Sequence, residues 1–217
     1  MKNLKLSLLA LVGIAGLAFS TPAQATILSV SGPNSLAGGM AAIIAPPPDI
    51  NDGAAFNIAQ QGFNEVQNFI LPVAITVDGG VIAAGTVISS HMIFLNNSLI
   101  VGNTLNTHTG VNWTFDGNVL GVMSEYTGSL EVATSSFLGA VGTAYPLATF
   151  NARGMEVDDS YNFALNVLTV NMRIREPGDW IRVITASSSA VPEPTSMMLL
   201  GAGMFAALGS RRARRKV

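Results

Sequence analysis

Two histidines and thirteen carboxylates, with no cysteine, bound the chemistry open to this chain of 217 residues. His91 lies in the apolar run His91-Met92-Ile93-Phe94-Leu95, and His108 in a polar stretch, residues 103–109, read as a loop. Neither has the HxH or HExxH spacing that places two imidazoles on one zinc ion, so both are read as structural or surface histidines. A Ser-His-Asp triad assembles from distant positions, so spacing does not test for one. The Gly-x-Ser-x-Gly turn that exposes a hydrolase serine is absent from the sequence. Without cysteine there is no disulfide framework, thiolate zinc site or thiol nucleophile.

The carboxylates suggest turns more than a site. Asp49, Asp52, Asp116 and the pair Asp158-Asp159 all fall in turn-forming sequence. Calcium takes six to eight oxygens, usually from alternating Asp and Asn in one loop, and none of these loops alternates so. Asp and Asn also serve turns by bonding their own backbone. A glycosidase needs two paired acids, and nothing singles out two here. Trp113 and Trp180 sit inside apolar runs and are assigned to the core. Arg153 and Arg182 are expected to form surface pairs with acids such as Glu156 or Asp179. No catalytic residue, cofactor or metal is predicted.

Charge removes one class of partner. Residues 26–190 carry four arginines, no lysine and twelve acids, a net charge of −8. Phosphate contacts need a basic patch, so nucleic acid is excluded as a partner.

From Ile70 onward, β-branched residues and closely spaced turn signals indicate strands. Val73 to Val77 runs into the hairpin turn Asp78-Gly79-Gly80, with a strand expected over 81–88 and another over 91–95. Val111-Asn112-Trp113-Thr114-Phe115 alternates with period two, and Asp116-Gly117-Asn118 leads directly to residues 119–123, which predicts a hairpin. Further strands are expected at 128–132, 161–163, 167–174 and 180–184. Asn171, Arg173 and Arg182 would face solvent, and Val170, Met172 and Ile174 the core. Residues 26–69 are broken by Pro33, Gly38-Gly39 and Pro46-Pro47-Pro48 into an irregular lead-in. Within it, 27–31 is a candidate strand, 40–45 a strand or short helix, and 57–69 an extended segment. Many short strands without a βαβ rhythm predict an all-β fold, a single β-sandwich or jelly-roll-like domain.

Both ends read as signals. Residues 1–25 have basic Lys2 and Lys5, an apolar stretch over 6–19, and the small-x-small site Ala23-Gln24-Ala25, which places the mature start at Thr26. This predicts a signal helix handled by Sec-type export machinery and signal peptidase. At the other end, a serine-rich spacer (187–190) precedes Val191-Pro192-Glu193-Pro194. An apolar run over 197–208 follows, containing Met197, Leu199, Leu200, Phe205 and Leu208, and then the basic cluster Arg211, Arg212, Arg214, Arg215 and Lys216. The run spans a bilayer as a transmembrane helix only with its polar neighbours included. The basic cluster would stay cytoplasmic, leaving the domain outside.

These three parts, in this order over residues 191–217, resemble the PEP-CTERM sorting signal of Gram-negative bacteria that make extracellular polysaccharide. Pro192, Glu193 and Pro194 match it residue for residue. The resemblance implies an exosortase as partner, cleavage near the Pro-Glu-Pro, and transient residence in the cytoplasmic membrane before the protein reaches the cell surface or extracellular matrix, with exopolysaccharide as a further partner. Two prolines also keep this stretch extended, as a protease-like active site requires.

Residues 80–186 in turn resemble an exported bacterial domain of unassigned function that recurs with different C-terminal anchors. The resemblance rests on Ala84-Gly85-Thr86 with Ser90-His91, Thr114-Phe115-Asp116-Gly117, Leu138-Gly139 with Tyr145-Pro146, Arg153-Gly154, and Pro177-Gly178-Asp179-Trp180-Ile181-Arg182-Val183. It implies an autonomous extracellular β-domain over 26–186 and no reaction. The expected role is a non-enzymatic surface or matrix protein associated with exopolysaccharide in biofilm. The alternatives are a carbohydrate- or calcium-binding β-sandwich module and, last, an envelope hydrolase.

Overall fold

A computed structural model describes residues 26–96, 104–175 and 177–187. Two antiparallel sheets dominate. The first contains β1 (Ile27–Ser31), β8 (Asn106–Phe115), β11 (Val167–Ile174) and β10 (Ser160–Ala164), in that order. The second has the order β2 (Ala42–Ile43), β3 (Gln61–Asn64), β7 (Val87–Leu95), β12 (Asp179–Ala186) and β9 (Val119–Met123), with β4 (Phe69–Ile70) also on β7. All pairings are antiparallel except β2 with β3. A small hairpin joins β5 (Ile75–Val77) to β6 (Gly80–Ile82) through the predicted Asp78-Gly79 turn. The predicted β-sandwich class is therefore observed.

The strand alternation explains where the core lies. Val111, Trp113 and Phe115 on β8, with Leu168, Val170, Met172 and Ile174 on β11, meet Ile93, Leu95, Ile181 and Val183 of the second sheet. The first sheet keeps its other face toward solvent, and Arg173 is exposed as predicted. The second sheet is covered on both faces. Its outer residues Met92, Phe94 and Trp180 pack with Ile50, Phe63 and Tyr145, and Ile88, Met123 and Ile184 pack with Leu138. Continuous burial along β7 and β12 follows from this double cover.

Four local expectations are corrected. Residues 128–132 do not form a strand: Ser129–Leu138 is a helix, α1. Its sequence is a weak helix former, but Glu125 caps its start by accepting from Thr127 N–H at 3.1 Å and from Ser129 N–H. Burial opposes ionisation of Glu125, yet bonds from Ser129 and Thr127 outweigh it and leave its pKa below the ordinary carboxylate value. Second, β8 and β9 do not pair as a hairpin. β8 lies in the first sheet and β9 in the second, beside β12, so Asp116-Gly117-Asn118 carries the chain across the sandwich. Third, the strand expected over 81–88 is split between β6 and β7.

Fourth, His108 is not in a loop but on β8, fully buried. Between the pairs Val170↔Val111 and Met172↔His108, β8 has an extra residue. Gly110 there takes φ +70, the signature of a bulge, so His108 and Val111 both point inward although three positions apart.

Both ends of the described chain meet the Asp116-Gly117-Asn118 connection. Asp116 N–H donates to Thr26 C=O at 3.1 Å, and Ala186 N–H donates to Asn118 C=O at 2.8 Å. A Cβ on Gly117 would lie 1.8 Å from the Ala186 carbonyl oxygen, so only glycine fits.

Candidate functional site

The outer face of the second sheet carries a buried network of charged and polar side chains. Arg182 on β12 and Glu65, just after β3, are both fully removed from solvent and pair bidentately, Nε to Oε2 at 2.8 Å and Nη2 to Oε1 at 2.9 Å. Arg182 Nη1 also donates to Glu131 C=O at 2.7 Å and Thr134 Oγ1 at 2.8 Å. Ser90 Oγ donates to Glu65 Oε2 at 2.5 Å. Burial alone would lower the Arg182 pKa, but the charge of Glu65 and its hydrogen bonds push it up, so the guanidinium stays charged. A second pair, Arg153 Nη2 to Glu131 Oε2 at 2.6 Å, is equally buried.

These pairs correct the expectation that Arg153 and Arg182 reach Glu156 and Asp179 at the surface. α1 lies over the sheet face that Arg182 shares with Trp180 and Ile184, so no solvent remains for it. The second pair is less complete. Arg153 Nη1, Glu131 Oε1 and Trp180 Nε1 have no hydrogen-bond partner among the described residues.

Two aromatic rings connect this buried layer to the surface. The Arg182 guanidinium carbon lies 5.5 Å from the Tyr145 ring centre, and that of Arg153 lies 5.4 Å from the Phe150 ring centre. Tyr145 and Phe150 also line an open groove of about 900 Å³ with Asn51, Asp52, Ser135 and Thr143. Burial, then the nearby charge of Glu65, raises the Tyr145 pKa, so the phenol stays neutral. Its oxygen accepts from Ala140 N–H at 2.8 Å. The groove thus offers aromatic faces flanked by hydroxyl, amide and carboxylate groups, a chemistry suited to a polar ligand with apolar faces.

Neither histidine joins this site. Gln60 N–H donates to His108 Nδ1 at 2.9 Å, which leaves Nε2 to donate to Pro33 C=O at 2.9 Å. His91 bonds Asn64 Oδ1 at 2.9 Å and Thr185 Oγ1 at 3.0 Å. Because Asn64 Oδ1 also accepts from Ile27 N–H at 2.9 Å, His91 Nδ1 is the donor and Nε2 accepts from Thr185. The structural reading of both histidines holds, as does the core assignment of Trp113 and Trp180, both at most 1% exposed. Among the described residues no group of three or more His, Asp or Glu is placed to hold a metal ion.

His91 makes the fold sensitive to acid. Burial lowers its pKa from 6.5 to about 3. Between those values the unfolded chain binds a proton at His91 that the folded chain refuses, so stability is present above pH 6.5 and lost as pH falls. Asp179 acts in the opposite sense. Burial, then the charges of Asp159 and Glu156, raises it well above the ordinary carboxylate value, so its contribution fades as pH rises. The comparison of wild type with His91→Gln isolates the histidine. From pH 7 to pH 5 their difference in unfolding free energy should shrink by about 2 kcal/mol. Urea melts at both pH values measure this, and an unchanged difference would contradict it.

Of the residues predicted to serve export and sorting, the described structure includes Thr26 alone. Ala23 and Ala25, the motif Pro192-Glu193-Pro194, the predicted membrane segment over 197–208 and the terminal basic cluster lie outside the described residues. Among the described residues no helix is long and apolar enough to cross a membrane. Sequence reasoning missed Glu65, Glu131, Tyr145 and Phe150. One signal was present: Arg182 has apolar neighbours two positions away on both sides, Trp180 and Ile184, which marks its strand face as covered.

Comparison with known proteins places a recognised element in the tail. Residues 190–215 match the PEP-CTERM protein-sorting motif. No curated protein and no solved structure matches the chain. The tail therefore marks an exported protein directed to an exosortase and held transiently at the membrane.

Proposed function

We propose that this exosortase-directed chain is a non-enzymatic component of the cell surface or extracellular matrix, associated with exopolysaccharide. Sec-type machinery exports it, and signal peptidase cuts after Ala25. The apolar segment over 197–208 then holds it in the cytoplasmic membrane, with the Arg/Lys cluster inside, until exosortase acts near Pro192-Glu193-Pro194. The sorting-motif match over 190–215 carries this reading. The non-enzymatic part is supported by two histidines committed to buried hydrogen bonds. In a host with the exosortase, removing residues 192–217 should abolish C-terminal processing and release the protein from the envelope. Cell fractionation and intact mass measure both; unchanged location and an unchanged C-terminal cleavage pattern would reject the sorting role.

A second reading, glycan binding in the groove of Tyr145 and Phe150, is favoured by aromatic rings beside Asn51, Ser135 and Thr143. Calorimetry of the mature protein with the host's exopolysaccharide should give heat that Phe150→Ala lowers at least tenfold in affinity (about 1.4 kcal/mol). No heat with the unmodified protein would remove this reading.

A further inference from the structure

The predicted mature chain begins at Thr26, and the fold already has a receptor for that residue. Thr26 N lies 2.9 Å from Asp116 Oδ1. Asp116 N–H returns a bond to Thr26 C=O at 3.1 Å. One residue on, Ile27 is buried at 6% exposure, pairs with Phe115 and donates its N–H to Asn64 Oδ1 at 2.9 Å. While the preceding peptide bond is intact, Thr26 offers Asp116 one neutral N–H. Hydrolysis of that bond leaves a carboxylate on Ala25 and an amine on Thr26, which takes up a proton near neutral pH. The same atom then presents three donors and a full positive charge to a carboxylate at hydrogen-bond distance, which adds an ion-pair attraction to a bond in which only the acceptor was charged before.

We propose that Asp116 is a maturation site: it captures the α-ammonium group released by signal-peptide cleavage, so that processing itself tightens the junction of β1 with the crossing between the two sheets. The proposal rests on cleavage after Ala25. Among the described residues, hydrogen bonds link this end of β1 to two titratable groups, Asp116 and, across Asn64, His91, which burial keeps neutral. No lysine occurs between residues 26 and 190.

That composition also provides the test. In protein exported and processed by an exosortase-bearing Gram-negative host, the α-amine is the single amine of residues 26–190, and Lys216, where the tail is retained, is separated from it by peptide mapping. Acylating the α-amine should lower Tm by about 2–4 °C in wild type and leave Asp116→Asn unchanged. Acylation at pH 7 should also run about three- to tenfold slower in wild type than in Asp116→Asn. An N-terminal peptide beginning anywhere but Thr26 would overturn the cleavage reading and the proposal with it. A Thr26 terminus whose acylation shifts neither protein, or shifts both equally, would overturn the proposal alone.

Discussion

Arg182→Met is expected to lower the unfolding free energy by about 3–5 kcal/mol, because it leaves the Glu65 carboxylate buried without its counter-charge. For a domain of ordinary stability, about 5–15 kcal/mol, that is a large share of the whole. The cause is desolvation more than lost attraction. Both side chains are out of water, and folding is tolerable only while each supplies what the other gave up. Glu65→Leu should cost a similar amount. The double variant Glu65→Leu with Arg182→Met should recover much of it, since well-packed apolar groups often replace a buried ion pair at little cost. Full recovery is not expected, because Arg182 also holds Glu131 C=O and Thr134 Oγ1 of α1 against the sheet. Urea unfolding of the four proteins measures the cycle. A single-variant cost below about 1 kcal/mol would place this pair among the solvent-screened ones.

Trp113→Ala should cost about 3–5 kcal/mol as well, by a different route. Trp113 is fully buried between the sheets, and its Nε1–H donates to Gln60 Oε1 at 3.1 Å. The indole packs so closely on Gly62 that a Cβ there would lie 2.7 Å from it. Removing the ring opens a cavity in the sandwich core and strips one partner from buried Gln60. Trp113→Phe separates the two effects: it keeps most of the volume and loses the bond, so its cost should be visibly smaller. Equal costs for the two variants would mean that the bond, not the packing, carries the contribution. Denaturant midpoints for the two variants decide this.

Much of the sandwich was legible because its strands obey period two. The alternation in Val111 to Phe115 and in Val167 to Ile174 marks the right core residues, and the Asp78-Gly79 turn marks a real hairpin. Three features were hidden for physical reasons. Half of the ten residues of α1 are Ser, Thr or Val, and its helical state comes from the Glu125 cap and from burial of Glu131, Thr134 and Leu138 against the sheet. The Asp116-Gly117-Asn118 turn has the residues of a hairpin, but which sheet a strand joins depends on distant partners, here β12 for β9. His108 looked polar and loop-like because the bulge at Gly110 breaks the very alternation that would have revealed it.

The arginines show how the candidate site was missed. An isolated charge in an apolar strand reads as an outward residue when one sheet face is assumed wet. That assumption holds for Arg173 on the first sheet and fails for Arg182 on the second, where a helix from residues far along the chain covers the face. The sorting tail, by contrast, needs no tertiary structure to be recognised, since its order of prolines, apolar run and basic cluster is itself the signal.

The meeting of Thr26 and Ala186 at one three-residue crossing has a mechanical consequence. Because Thr26 and Ala186 both bond to this crossing, the chain enters and leaves the domain at one edge, so tension on either end is applied at that edge.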